Sequence, residues 1–182
     1  MRHAGMKKAT GDRFLWGART EGIAPFVENS MSKTRTKEQL LELAGEKLGT
    51  SEWFVVDQER IDHFADVTED HQFIHVDPER AVDAGLGGTI AHGMLTLSLI
   101  VGFCRDFAPA LDGSKMVINY GFDKVRFASP VKVNDRIRAV AVLAEARERG
   151  SHLLVKAKVT IEIEGETKPA LVAEWLTMHV FP

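Results

Sequence analysis

The chain has 182 residues, of which 45% are apolar, and a formal net charge of −3. These values are typical of one packed domain with or without an extension, and the weak charge excludes a large electrostatic surface for nucleic acid. The single cysteine, Cys104, excludes an intrachain disulfide and a cysteine-based metal cluster. No apolar run is long enough to span a bilayer, and the N-terminus lacks the apolar core of a secretory signal. We therefore expect a soluble cytoplasmic protein without a membrane or nucleic-acid partner.

The predicted elements begin with an N-terminal extension and a helix. Residues 1–35 are rich in Gly, Lys, Arg and Thr, and we expect them to be a flexible extension. Over residues 36–48, leucine and alanine recur at helical spacing, which predicts an amphipathic helix that Gly49 ends. A single domain is therefore expected over residues 36–182.

Short elements follow this first helix. A strand is predicted over residues 51–56, and Asp57 is the predicted N-cap of a helix that ends near Thr68. Residues 70–75 are interpreted as an irregular segment, and the next short helix has Pro78 as its first residue. Two short helices are therefore expected to flank an irregular loop.

One long helix and four long strands make up the rest of the chain. The helix is predicted over residues 92–107 after a glycine-rich turn, and its near lack of a polar face indicates burial on all sides. Alternating apolar residues and short connections, typical of antiparallel pairing, predict strands at residues 115–127, 136–149, 152–164 and 169–181. One strand before the helix and four after it predict an α+β fold in which a curved antiparallel sheet wraps around the helix.

Two side chains that could move protons lie on the predicted irregular segment. Asp70 and His75 are five positions apart, a spacing that a bending loop can bring together in one pocket. A carboxylate can accept a proton from water, and histidine titrates close to neutral pH. From spacing alone, a solvated aspartate and a histidine that caps a helix explain the pattern more simply.

Gly93 stands in the first turn of the long helix, where glycine is less favourable than alanine by about 1 kcal/mol. Either this turn packs closely against a strand, or the missing side chain lets a ligand reach the N–H groups at the helix start. His92 is interpreted as a structural residue rather than a second acid or base, and Cys104 as a buried apolar residue rather than a nucleophile. We find no zinc-type spacing, P-loop or dinucleotide-binding motif, so neither a metal nor a cofactor is expected.

A family resemblance is carried by three segments, Phe64–Asp77, Thr89–Leu95 and Lys124–Val131. The first resembles the signature of the MaoC-like, (R)-specific enoyl-CoA hydratases. The second resembles the start of their central helix, and the third a strand that follows it. The pattern Asp-x-Gln-x-Ile-His-Val-Asp, combined with Gly-Gly-Thr-Ile-Ala-His-Gly, is most similar to the nodulation-protein-N-like branch. The three segments together are far more specific than any one alone.

The resemblance implies a hot-dog fold, in which an antiparallel sheet wraps around one long helix, and a homodimer. It implies that Asp70 is the base that activates water, that His75 works with it as the proton donor, and that the Gly93 N–H holds the thioester oxygen. The implied reaction is the reversible syn addition of water to a trans-2-enoyl-CoA, which gives an (R)-3-hydroxyacyl-CoA. No separate cofactor is implied, because CoA is part of the substrate.

Some residues depart from the common family pattern or have a less defined role. Gln72 and Phe73 stand where the common pattern has Asn and Pro, and Gln72 is expected to orient the Asp70–His75 pair through hydrogen bonds. Val101 stands where some members carry Ser. Lys124 and Arg126 are candidate contacts for the CoA phosphates.

Two alternative functions are kept beside the hydratase. A hot-dog thioesterase would use a carboxylate on the central helix, but that helix has no Asp or Glu before Asp106. A non-catalytic acyl-CoA-binding subunit would keep the fold without needing both Asp70 and His75. The presence of both side chains favours the hydratase.

Overall fold

The computed structural model describes residues 34–105 and 107–182. Of residues 1–35, which were expected to be a flexible extension, only the last two lie within these ranges. The helices are α1 (Lys37–Leu41), α2 (Gln58–Thr68), α3 (Phe73–Val76), α4 (Pro78–Asp83) and α5 (Gly93–Cys104). The strands are β1 (Lys47–Thr50), β2 (Phe54–Val55), β3 (Met116–Phe127), β4 (Arg136–Arg149), β5 (His152–Ile163) and β6 (Leu171–Val180).

The six strands form one sheet with antiparallel pairing throughout. The strand order is β1-β4-β5-β6-β3, and β2 pairs with the start of β4. The four long strands predicted from the sequence are confirmed, with bounds that agree within two residues. They are long enough to form a continuous surface on which a helix can pack.

Helix α5 packs against one face of this sheet. Its apolar side chains share a buried core with residues of β4, β5 and β6 that point to the same face. Burial of an apolar side chain of this kind stabilises a fold by about 1.5–3 kcal/mol. The members from α5 are Leu95, Leu97, Ile100, Phe103 and Cys104, and those from the sheet include Ile137, Ala139, Val159, Ile161, Ala173 and Trp175. The predicted sheet around one helix is therefore present.

The prediction that this helix is buried on all sides is wrong for one face. Met94, Ser98 and Val101 lie one turn apart along that face and are exposed, Met94 by 56% and Val101 by 48%. Because two of these side chains are apolar, burial within one chain does not explain their presence, and the face is a candidate contact surface. None of the helices in the described ranges is long and apolar enough to cross a membrane.

The first helix is shorter than predicted. Thr36 and Gln39 form a reciprocal N-terminal cap, but α1 ends at Leu41 and Gly45 turns the chain with a φ of 92°. Residues 47–50 then form β1, so Leu48 lies in a strand and not in the helix. Gly49 does not end a helix, since it lies in β1, where an added Cβ would overlap the Phe107 ring. Two short strands, β1 and β2, therefore replace the single predicted strand before α5.

A buried histidine near the end of β6 predicts acid sensitivity of the fold. His179 is 2% exposed, and burial lowers the pKa of its imidazole. The unfolded chain therefore binds a proton that the folded chain resists, and the free energy of unfolding should fall as the pH drops below about 6.5. We expect His179→Asn to reduce the difference in urea-unfolding free energy between pH 7.5 and pH 5.5. The exposed His63→Asn is the control, and an equal reduction in both variants would contradict this assignment.

Candidate active site

The candidate site begins where α2 ends. As predicted, Asp57 caps α2, because its carboxylate accepts a hydrogen bond from the Arg60 N–H at 2.9 Å. The last helical residue is Thr68, and Glu69 follows with a left-handed φ of 60°. The helix therefore stops directly before Asp70, whose side chain is exposed.

His75 lies on the short helix α3 and not on the irregular segment that was predicted. Gln72 is the N-cap of α3, and the His75 N–H bonds to the Gln72 carbonyl at 2.9 Å. The Asp70 carboxylate and one ring nitrogen each of His75 and His92 lie within 4.8 Å of one another. The structure thus brings together the two side chains selected from the sequence and adds His92 to them.

The contacts of His75 define which of its nitrogens is available. The ring is 6% exposed, and Nδ1 lies 2.7 Å from the Ile90 carbonyl oxygen. A carbonyl oxygen can only accept, so Nδ1 carries a proton and Nε2 remains for a ligand or water. Burial lowers the pKa of His75 and outweighs the opposite effect of the Ile90 hydrogen bond. The imidazole is therefore neutral at pH 7 when no ligand is bound.

Gln72 contacts Asp70 through its backbone. Its N–H donates to Asp70 Oδ1 at a long 3.4 Å, while its side chain is exposed and makes no capping hydrogen bond. Phe73, the other departure from the family pattern, is half-buried, and the Arg80 guanidinium lies over its ring at 4.4 Å. The orienting role expected of the Gln72 side chain is therefore not visible in its contacts.

Gly93 and His75 line the same cavity. This cavity has a volume of about 360 Å³ and is also bordered by Ile90, Thr96, Phe127 and Val131. A Cβ added at Gly93 would lie 3.1 Å from the Phe127 ring, so the turn does pack closely against a strand. Gly93 is also the first residue of α5, where N–H groups have no intrahelical partner and the helix dipole favours negative charge. Both interpretations of this glycine are therefore compatible with the structure.

A hydrogen-bond network behind the site was not predicted. The Gln58 amide donates to the His75 carbonyl at 2.8 Å and to the Asp62 carboxylate at 2.7 Å. Its carbonyl oxygen accepts from the hydroxyl of Thr89, which is 1% exposed. Gln58 thereby joins α2 and α3 to the segment before α5. No sequence signal marks this network, because its members are 31 positions apart and polar residues of these types are common.

The cluster of Asp70, His75 and His92 also raises the question of a metal. Three such side chains could each supply one ligand atom. However, the rings of His75 and His92 are stacked, with centroids 3.7 Å apart and planes at 25°. When two histidines bind one tetrahedral metal, the lone pair in the plane of each ring points at the metal, so the two lone pairs converge. In two stacked rings the lone pairs run side by side and do not converge. The arrangement suits proton transfer better than metal binding, and the absence of a required metal stays a prediction.

A second cavity lies toward the other end of α5. It has a volume of about 370 Å³, and its lining, mostly apolar, includes Val101, Cys104, Val117, Trp175 and His179. Cys104 is 2% exposed, as predicted, and burial raises the pKa of its thiol to about 12. A thiol with such a pKa is not a nucleophile at neutral pH.

The two candidate phosphate contacts are exposed on β3. Arg126 donates to the neighbouring Val125 carbonyl at 2.8 Å, and Lys124 lies opposite Glu174 in the sheet. Phe127, the next residue along, borders the cavity of His75 and Gly93. Both cations are thus close in sequence to the site, and their role toward CoA stays a prediction.

Comparisons with known proteins agree with this fold. A family model described as "MaoC like domain" matches residues 39–165. The chain is 53% identical over 139 residues to nodulation protein N of Rhizobium leguminosarum bv. viciae, which covers 75% of this chain and 86% of that protein. It is 44% identical over 150 residues to 3-hydroxyacyl-thioester dehydratase Z of Mycobacterium tuberculosis (strain ATCC 25618 / H37Rv), covering 80% of this chain and 99% of that protein.

A solved structure extends the likeness to the fold. The (R)-hydratase from A. caviae superposes with a TM-score of 0.63 at 25% identity, covering 76% of this chain and 96% of that one. The hot-dog fold expected from the resemblance is therefore confirmed, with the Asp70–His75 cluster beside the start of its central helix. Because the family model spans more than two thirds of the sequence and agrees with both curated relatives, this chain belongs to the MaoC-like dehydratase family.

Proposed function

We propose that the protein is an (R)-specific enoyl-CoA hydratase, which adds water reversibly and syn to a trans-2-enoyl-CoA and gives an (R)-3-hydroxyacyl-CoA. The observation that carries the proposal is the convergence of the Asp70 carboxylate and the His75 imidazole within 4.8 Å, beside the N-terminus of α5. The names of two relatives, a 3-hydroxyacyl-thioester dehydratase and an (R)-hydratase, support the same reaction class.

The proposed mechanism uses one carboxylate, one imidazole and one helix N-terminus. Asp70 takes a proton from water while the water oxygen bonds to C3 of the enoyl group, and the C2=C3 π bond breaks. Negative charge moves to the thioester oxygen, which the Gly93 N–H and the α5 dipole stabilise. Because the imidazole of the free protein is neutral, His75 first takes a proton on Nε2 from solvent, which the nearby Asp70 carboxylate and the developing negative charge of the substrate favour. His75 donates this proton to C2 on the same face, and the proton held by Asp70 leaves to solvent, which restores both groups. The sum is addition of H–OH, without a metal.

The acyl chain is proposed to run along α5. From Gly93 to Val101 the helix advances by about 12 Å, since each residue adds about 1.5 Å. The apolar cavity near Val101 is therefore at a suitable distance to receive the distal carbons of an acyl group whose carbonyl lies at Gly93. A series of enoyl-CoA substrates of increasing chain length tests this path, and kcat/KM should rise until the cavity is filled.

The function is tested by incubating the protein with crotonyl-CoA and following the loss of enoyl-thioester absorbance together with free thiol release. Loss of absorbance without thiol release is the expected result. Release of CoA would favour the thioesterase, and binding without turnover of any chain length would favour a non-catalytic acyl-CoA-binding subunit. Chiral analysis of the product separates an (R)- from an (S)-specific enzyme.

Gly93→Ala should lower kcat/KM for crotonyl-CoA by about tenfold. The added methyl would stand beside the N–H proposed to hold the oxyanion and would meet the Phe127 ring at 3.1 Å. Gly102→Ala, on the same helix but with nothing within 4 Å of the added Cβ, is the matched control. Gly102 borders the second cavity, about 13 Å along the helix from Gly93, which the four-carbon crotonyl group does not reach, so this variant should keep the wild-type rate. Equal rates in both variants would remove Gly93 from the mechanism.

We further propose a homodimer formed through β3 and the exposed face of α5. Strand β3 is at one end of the sheet order and carries exposed apolar side chains, namely Met116, Val117, Ile118, Tyr120 and Phe122. An exposed, apolar edge strand is a template for pairing with a second copy.

In sedimentation experiments the wild type should be dimeric and Ile118→Asp monomeric. The control Val67→Asp, at a side chain 79% exposed on α2, should stay dimeric, and a monomeric wild type would contradict the proposal.

A further inference from the structure

His92 joins the start of α5 to the backbone of Asp70. It is the N-cap residue of α5 and is 3% exposed. Its Nε2 lies 2.9 Å from the Asp70 carbonyl oxygen, which can only accept, so Nε2 carries the proton and donates. The position of the Asp70 main chain is therefore fixed by a side chain 22 positions away.

The same ring also lies against His75. The two imidazoles stack with their centroids 3.7 Å apart. The Phe64 ring packs against His92 as well, with a centroid distance of 5.1 Å and an interplanar angle of 53°. His75 is thus held by two independent contacts, the hydrogen bond from Nδ1 to Ile90 and the stack on His92. His92 is in contact with both members of the proposed acid–base pair.

The choice of histidine at this position has a cost. Nδ1 of His92 is buried and has no hydrogen-bond partner among the residues that the structure describes. A buried polar atom without a partner is destabilising. Phenylalanine would stack on His75 as well and leave no such atom, so packing alone does not explain the histidine. What the imidazole adds is the Nε2–H bond to Asp70.

We propose that His92 is a positioning residue, which sets the distance and relative orientation of the Asp70 carboxylate and the His75 imidazole. It acts through the Asp70 main chain and the His75 ring and does not exchange protons with the substrate. The inference extends the proposed hydratase function, and it assigns a role to a residue that the sequence suggested was only structural.

Two substitutions separate the contacts of His92. His92→Phe keeps an aromatic ring against His75 but removes the donor to Asp70, and His92→Gln keeps a donor but removes the ring. Because misplacement of a reacting group by about 1 Å can cost about 100-fold, we expect kcat for crotonyl-CoA to fall by about that factor in His92→Phe, with KM changed less than about twofold. Circular dichroism and thermal unfolding establish that each variant is folded.

A thermodynamic cycle distinguishes positioning from a catalytic or purely structural role. If His92 acts through the pair, adding His92→Phe to His75→Gln should cause almost no further loss of kcat. A full additional loss would overturn positioning in favour of an independent acid or base. Unchanged kcat in both folded His92 variants would also overturn the proposal. The exposed His63→Gln serves as control for a neutral histidine substitution and should behave as wild type.

A readout without turnover keeps this inference separate from the proposed function. The imidazole ¹⁵N signals of His75 report its tautomer and surroundings, and we expect them to shift in both His92 variants but not in His63→Gln. If the wild type hydrates no enoyl-CoA, the hydratase proposal fails, and the His75 signals alone decide the positioning role. Unaltered His75 signals in folded variants would show that His92 does not position it.

Discussion

Changing Asp70 to asparagine is expected to lower kcat for crotonyl-CoA hydration by about 10²–10⁴-fold, the usual contribution of a positioned general base. The amide has nearly the same size, and its oxygen can still accept the 3.4 Å hydrogen bond from the Gln72 N–H. It cannot, however, take a proton from water at neutral pH. Steady-state rates of the purified wild type and variant, measured by loss of enoyl absorbance, test this expectation.

The chain itself supplies a matched control for this substitution. Asp66 and His71 are also five positions apart, and they form an ion pair at 3.0 Å with side chains 70% and 53% exposed. Asp66→Asn removes the same charge from the same region without touching the cavity. It should leave kcat within about twofold of wild type, because exposed ion pairs contribute little. If Asp66→Asn and Asp70→Asn lose activity equally, the effect is one of surface charge and not of a general base.

The two Asp-x4-His pairs explain why spacing alone could not identify the site. Both combine the same residue types at the same separation, and they overlap in sequence. What separates them is the burial of His75, which depends on the Ile90 carbonyl, the His92 ring and the Gln58 network, all distant in sequence. The resemblance to a family selected the pair whose histidine is buried beside the start of α5, whereas periodicity and spacing had no means to do so.

The long strands of the sheet, unlike the site, were predictable because their signals are local in the sequence. Each long strand carries its own alternation and its own turn signals, so the bounds of β3 to β6 follow from local sequence. Before α2, the helical spacing in the local sequence disagrees with the pairing of β1 and β4 in the sheet. The helical spacing of leucines continues to Leu48, but pairing of β1 with β4 places this residue in a strand. Tertiary pairing therefore overrides a helical pattern that lacks a long enough apolar face.

For the exposed face of α5, the apolar composition indicated burial, but the structure of one chain leaves this face uncovered. A helix without a polar face indicates burial, and the prediction assumed that one chain provides it. In the structure, Met94 and Val101 stay exposed, and Val101 lines one cavity with Val117 of β3, an edge strand that is also apolar. A second copy that covers both surfaces would reconcile the sequence pattern with the structure, so sedimentation of the wild type tests this interpretation as well as the proposed dimer.

Changing His75 to glutamine is expected to lower kcat by a similar 10²–10⁴-fold, because the amide cannot deliver a proton to C2. A glutamine amide can still donate to the Ile90 carbonyl, so loss of activity would not be caused by loss of that hydrogen bond. His71→Gln, at the exposed histidine of the control pair, should be nearly neutral. Activity close to wild type in His75→Gln would exclude the proposed donor.

The double variant Asp70→Asn/His75→Gln distinguishes a concerted pair from two separate contributions. If carboxylate and imidazole act on the same water and substrate in one transition state, removing the second group should add little to the loss caused by the first. If each group contributes to the transition state independently of the other, the two losses should multiply. We expect the non-additive result, since the carboxylate and imidazole atoms concerned lie within 4.8 Å of one another. Each of the three variants must be fully folded under the assay conditions, because only then does the difference in rate report on the chemistry.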